Sequence, residues 1–240
     1  MNNIKNKIVS KALIIFLYFF SSISLTQDIP VNEFGLRVVE NIETYQKLVE
    51  LDSNKILVDL EKFIPGIILD IKYATTNNFT GTILYSKPKA YLRLPAAKAL
   101  KKIQKELKEK GLEVKIFDAY RPYSVTKLMW EFVKDDRYAA DPRKGSRHNR
   151  GCAVDLTLVN SVTGEELLMP TDYDDFTVKA HHSYLGISEE QKVNRKLLRD
   201  VMEKHGFEIL TSEWWHYDFI GWNKYELMNL TFEKLEKISK

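Results

Sequence analysis

Apolar and polar residues alternate through "AVDLTL", where Val154, Leu156 and Leu158 interleave with Ala153, Asp155 and Thr157. Period two marks a strand with one apolar face, and it turns Asp155 away from that face, alongside Thr157. The same period runs through "EVKIFDAY". Apolar runs predict further strands over "GIILDIKYA" and over "FEILTSEWWHYDFI", the latter as one continuous core strand. The period becomes helical in "LPAAKALKKIQKELKEKG". There Ala96, Leu100, Ile103 and Leu107 form one stripe, Pro95 suits the first turn, and Gly111 suits the position after the last. "SEEQKVNRKLLRDVMEKHG" predicts another helix, with Ser188 and Gln191 spaced as a capping box and Gly206 closing it. "SVTKLMWEFV" and "NIETYQKLVE" predict two more, and the tail after Trp222 a short amphipathic one.

Between these elements, "TTNNFTG" is a loop by its Asn, Thr and Gly content. "KDDRYAADPRKGSRHNRG" is long and polar, and loops of that length are often functional. A hairpin turn is predicted near Thr163 and Gly164, after "AVDLTLVN". Helices and strands mix without a regular βαβ alternation. The expected fold class is therefore α+β, with a central antiparallel sheet and flanking helices.

The amino terminus changes the charge picture. "MNNIKNKIVSK" carries Lys5, Lys7 and Lys11 and no acid, and "ALIIFLYFFSSISL" follows as an apolar run too short for a full membrane span. Small and polar residues come next, with Ser22 and Ser24 spaced for cleavage. This is the pattern of a secretory leader over residues 1–26, followed by one domain over 27–240, in a periplasm or at a cell surface. The net charge of +3 equals the contribution of the leader lysines, so the mature chain is close to neutral. Nothing in that balance points to nucleic acid or an anionic membrane as a partner. Cys152 is the only cysteine, which excludes an internal disulfide. It shares the parity of Val154 and reads as a small buried residue rather than a nucleophile.

Chemistry concentrates in three clusters. His148 precedes Asp155 by seven residues, and a turn at Gly151 would bring the two together. His216 follows Glu213 in "SEWWHYDF". Two histidines and one aspartate make a zinc set that leaves a position open, and a spare carboxylate, Glu213, would serve as general base. Residues three apart on a regular strand point to opposite faces, so Glu213 and His216 can share a site only if the strand starts late or bulges there. The third cluster is "FDAYRP", where Arg121 leaves a strand end. It can hold a carboxylate or a developing oxyanion, pair with Asp118, or do both. His205 at a helix end, and His181 and His182 in a loop, read as structural or rim residues.

Taken together, "SRHNRGCAVDLTL", "EWWH" and "DAYRP" resemble the zinc-dependent D-alanyl-D-alanine dipeptidases of the vancomycin-resistance type, within the wider group of D,D-carboxypeptidases and hedgehog-like zinc folds. The likeness covers roughly residues 60–220 and extends to "KYATTNNFTG", "TGEELLMP" and "YDDF". The resemblance implies one zinc ion per chain held by His148, Asp155 and His216, with Glu213 as catalytic base and Arg121 stabilising the tetrahedral intermediate. It further implies that Ser146 holds the substrate carboxylate, and Tyr73 and Asp174 the free amine of a small dipeptide. Two other readings stay open. One is a D,D-carboxypeptidase acting on longer peptidoglycan peptides; the other is an inactive zinc-containing binding module.

Overall fold

The structure is a computed structural model that describes residues 29–136 and 139–238. The expected leader lies outside the described residues. In chain order the strands are β1 (Val38–Val39), β2 (Leu57–Asp59), β3 (Ile68–Leu69), β4 (Tyr91–Arg93), β5 (Leu112–Asp118), β6 (Ala153–Asn160), β7 (Phe207–Leu210), β8 (Glu213–Phe219) and β9 (Leu227–Met228). The helices are α1 (Ile42–Leu51), α2 (Leu60–Phe63), α3 (Leu94–Lys108), α4 (Tyr123–Val133), α5 (Glu189–Lys204) and α6 (Phe232–Ile238). None of the described helices is long and apolar enough to cross a membrane.

The main sheet has five strands in the order β3-β5-β6-β8-β7. All pairings are antiparallel except the parallel edge contact between β3 and β5. The expected α+β class holds, with that one parallel edge added. β6 lies at the centre, and its residues Ala153 to Val159 are all buried, so both of its faces are covered rather than one. Helix α3 packs on β5 and α5 on β7. The predicted stripe Ala96, Leu100, Ile103 and Leu107 is fully buried. Gln104 interrupts it without cost, because its Oε1 accepts the Val114 N–H at 2.8 Å. The Ser188–Gln191 capping box forms as predicted.

Three expectations are corrected. "FEILTSEWWHYDFI" is not one strand: the chain reverses at Thr211–Ser212, making the β7–β8 hairpin. "GIILDIKYA" contributes only Ile68 and Leu69 to the sheet, then tightens into a 3₁₀ turn over Lys72–Ala74. That turn is held because the Tyr73 carbonyl accepts from both Leu84 and Tyr85 N–H at 2.9 Å. The hairpin arm after Gly164 makes a single bridge, Val159 to Glu166, before the chain leaves the sheet.

Gly151 closes the 3₁₀ turn His148–Arg150 at φ +68°, where a side chain is strained. A Cβ there would also lie 2.5 Å from Leu57 Cδ2. This is the turn that the spacing of His148 and Asp155 demanded.

Candidate active site

The sheet register assembles the site. Asp155 on β6 stands opposite His216 on β8 and, on its other side, opposite Asp118 at the end of β5. The turn closed by Gly151 folds His148 back over this row. His148 Nε2 lies 3.2 Å from His216 Nδ1, and Asp155 Oδ1 lies 2.9 Å from His216 Nδ1 and 3.5 Å from His148 Nε2. All three residues are buried, and their ligand atoms lie within 4.8 Å of one another.

This donor set fits a metal ion. The outer nitrogen of each imidazole faces a pure acceptor: His148 Nδ1 is 2.7 Å from the Ala119 carbonyl, and His216 Nε2 is 3.0 Å from Asp218 Oδ1. Each outer nitrogen therefore carries the proton, which directs the inner lone pairs to one point beside the Asp155 carboxylate. Three acceptor atoms that close repel unless a cation or a proton stands between them. Burial opposes charge on Asp155, but His148 and His216 outweigh it and hold the carboxyl far below the usual range. Burial likewise opposes charge on His216, yet Asp218 and Asp155 raise it well above the ordinary imidazole value.

Glu213 meets the bulge condition. Ile209 pairs with Tyr217 but Leu210 with Glu213, so residues 214–216 of β8 have no partner on β7. The bulge turns Glu213 towards the site, with its Oε2 3.9 Å from His216 Nδ1. Burial pushes its carboxyl above the ordinary value, against the nearby His216. Arg121 makes the expected pair with Asp118 and also reaches the cavity. Its Nε and Nη2 donate to Asp118 Oδ2 at 3.0 and 2.7 Å, and it lines the same cavity as Glu213. Tyr85 steadies the pair by donating to Asp118 Oδ1 at 2.6 Å.

At the far end of this cavity, of about 730 Å³, the Tyr73 hydroxyl lies 3.1 Å from Asp174 Oδ2. The guanidinium of Arg121 sits 5.2 Å from the centre of the Tyr73 ring. Asp174 holds a left-handed φ of +59°. Lost hydration, then the charges of Asp155 and Glu213, push its carboxyl well above the usual range. Ser146 also lines the cavity, although its Oγ accepts the His148 N–H at 3.2 Å and so braces the loop as well. Every residue singled out from the sequence for chemistry thus borders one cavity.

The remaining histidines divide. His181 reaches the cavity rim. His205 bonds Glu106 Oε2 at 2.9 Å, away from the site. His182 lies beside the Tyr217 ring, and burial lowers it to about 4. Sequence reasoning missed Asp218 and Tyr173. Asp218 could have been found, since two residues beyond His216 on a strand is the same face. Tyr173, whose hydroxyl donates to Asp155 Oδ2 at 2.9 Å, lies in an irregular segment with no period to mark it.

The Peptidase M15 family, described as D-ala-D-ala dipeptidase, matches residues 53–236. The D-alanyl-D-alanine dipeptidase of Escherichia coli (strain K12) is 34% identical over 172 residues, covering 72% of this chain and 89% of its own. That of Enterococcus faecalis (strain V583) is 32% identical over 181 residues, covering 67% of this chain and 90% of its own. A solved structure of the LD-carboxypeptidase LdcB aligns over 77% of this chain and 78% of its own, at 22% identity and TM-score 0.41. With the match spanning most of its length, the chain belongs to the M15 peptidase family of D-Ala-D-Ala dipeptidases.

Proposed function

We propose that this chain hydrolyses the dipeptide D-Ala-D-Ala to two molecules of D-alanine, with one zinc ion held by His148, Asp155 and His216. The observation that carries the reading is a hydrogen-bonded acid and hydroxyl beside the metal donors. Asp174 and Tyr73 line the same cavity as Glu213, Arg121 and the three metal donors, placed to receive a free amine. Two imidazoles and one carboxylate with room for a further ligand favour zinc among divalent ions. Bound there, zinc supplies Lewis-acid charge at the peptide carbonyl and lowers the pKa of water towards about 7.

The chain's own residues do the rest. Glu213 takes a proton from the attacking water and returns it to the leaving amine, a role suited to a carboxyl raised by burial. Arg121 donates to the oxyanion, and Asp118 keeps its guanidinium aimed. Ser146 holds the dipeptide carboxylate. Tyr73 and Asp174 hold its ammonium, whose charge also compensates the cost of ionising Asp174. The expected leader supports a place outside the cytoplasm, where the substrate would come from peptidoglycan turnover or serve D-alanine scavenging. N-terminal sequencing of the protein from fractionated cells tests that part: an uncleaved cytosolic chain sinks it.

The activity test is D-alanine release by the zinc-loaded chain from D-Ala-D-Ala and from its N-acetylated form. Cleavage of the free dipeptide alone is expected. Cleavage of the acetylated form would mean an open amine end and a D,D-carboxypeptidase. Cleavage of neither would leave a zinc-containing binding module.

A further inference from the structure

Tyr173 stands between the two ends of the cavity. Its hydroxyl lies 2.9 Å from Asp155 Oδ2 and 3.1 Å from the Tyr73 hydroxyl, which in turn lies 3.1 Å from Asp174 Oδ2. A carboxylate that ligates a metal can only accept, and its outer oxygen lies within hydrogen-bond reach of this hydroxyl. The single proton of Tyr173 therefore goes to Asp155 Oδ2, on the oxygen opposite the one that faces His216. Tyr73 gives its own proton to Asp174, and the two hydroxyl oxygens stay 3.1 Å apart. The ring of Tyr173 is fixed against Phe117 at 4.8 Å and Trp215 at 5.5 Å, so the hydroxyl has little freedom to point elsewhere.

We infer that Tyr173 is a positioning residue that holds Asp155 in its metal-binding orientation and ties the metal end of the cavity to the amine end. The inference rests on the metallopeptidase reading above. A ligating carboxylate is free to rotate about its Cβ–Cγ bond. A hydrogen bond to its outer oxygen removes that freedom and keeps the inner oxygen turned to the metal. Through Tyr73, the same hydroxyl also helps set where the dipeptide ammonium rests.

The test is Tyr173→Phe, which deletes the hydroxyl and keeps the ring packing. Zinc affinity of the full chain is measured by competition with a chromophoric chelator, without substrate. Outer hydrogen-bond partners of metal ligands are worth about 10–100-fold in affinity, and a loss in that range is expected. At saturating zinc, KM for D-Ala-D-Ala should rise about threefold to tenfold, the worth of one hydrogen bond, with kcat changed less. Tyr73→Phe is the companion variant: it should raise KM and leave zinc affinity within about twofold. An unchanged zinc affinity in Tyr173→Phe overturns the inference. So does an equal loss in Tyr73→Phe, because the metal would then depend on the packing of the wall rather than on this hydroxyl. A parent chain that binds zinc but cleaves no D-Ala-D-Ala sinks the proposed activity, while the affinity comparison still decides the role of Tyr173.

Discussion

At one end of the cavity, Asp155 and His216 face each other on paired strands, and their outer atoms are locked by Tyr173 and Asp218. At the other end, Tyr73 sits in a 3₁₀ turn and Asp174 in an irregular loop at φ +59°. The first end draws its precision from the ladder hydrogen bonds of a central strand buried on both faces. The second draws it from side-chain contacts between segments a hundred residues apart. Metal donors tolerate little displacement, and two of the three stand on the sheet, with His148 folded over them by the tight turn beside it. Substrate-selecting groups can be exchanged by changing loops, without disturbing the chemistry.

The sharpest test of this division is Glu213→Ala. Glu213 belongs to the sheet end but faces the metal site from a bulge, 3.9 Å from His216. Removing it should lower kcat by about 10²–10⁴-fold while zinc stays bound, since the donor set is intact. Zinc content after dialysis and single-turnover rates would check both halves. Loss of zinc together with activity would make Glu213 a ligand and undo the separation of roles.

Arg121→Ala comes next, because Arg121 pairs with buried Asp118 and is the proposed oxyanion donor. The loss of an oxyanion donor should cost about 10²–10³-fold in kcat. Asp118, fully buried, would keep only Tyr85 and the Ala119 N–H as donors. Stranding a buried carboxylate in this way should also lower stability by about 3 kcal/mol, visible in the denaturant midpoint. Unchanged stability would mean that the Arg121–Asp118 pair is not part of the frame.

Asp174→Asn probes the loop end and should be milder. The preference for the free over the acetylated dipeptide should fall by about 10–100-fold, the range set by one charged hydrogen bond or somewhat more. The same variant has a pH signature. The folded chain raises the Asp174 carboxyl well above its ordinary value of 3.8. Below 3.8 the group is protonated in both folded and unfolded chains and costs nothing; as pH rises towards the folded value, the unfolded chain ionises first and gains. The parent should therefore melt progressively below Asp174→Asn as pH rises through that window, and the two should converge towards acid pH. A parallel offset at every pH would reduce the effect to the easier fit of Asn at positive φ.

The two ends also differ in how well they could be read. Strand parity turned Asp155 away from the apolar face, and the Gly151 spacing brought His148 back to it. Both were legible because period two and a left-handed glycine leave marks in a sequence. The pairing of Glu213 with His216 could be stated only as a condition, because a bulge has no signature of its own. The break of "FEILTSEWWHYDFI" into a hairpin was hidden, since Thr211–Ser212 lacks the Gly or Asn that announces a tight turn. Tyr73 and Asp174 came from family resemblance alone. Their partnership rests on contacts between distant loops, which no local pattern encodes.

The smallest effect is expected just before β6, three residues ahead of Asp155. Cys152 is fully buried, its thiol donates weakly to the Arg150 carbonyl at 3.6 Å, and burial pushes it up to about 12. At neutral pH it is a thiol, not a nucleophilic thiolate. Cys152→Ala should leave kcat/KM within about twofold and lower stability by about 1 kcal/mol for the lost sulfur contacts. Iodoacetamide should likewise leave the parent active. A larger loss of activity with the melting curve unchanged would mean that the strand contributes more than rigid placement of Asp155. The sheet end would then need a second chemical group.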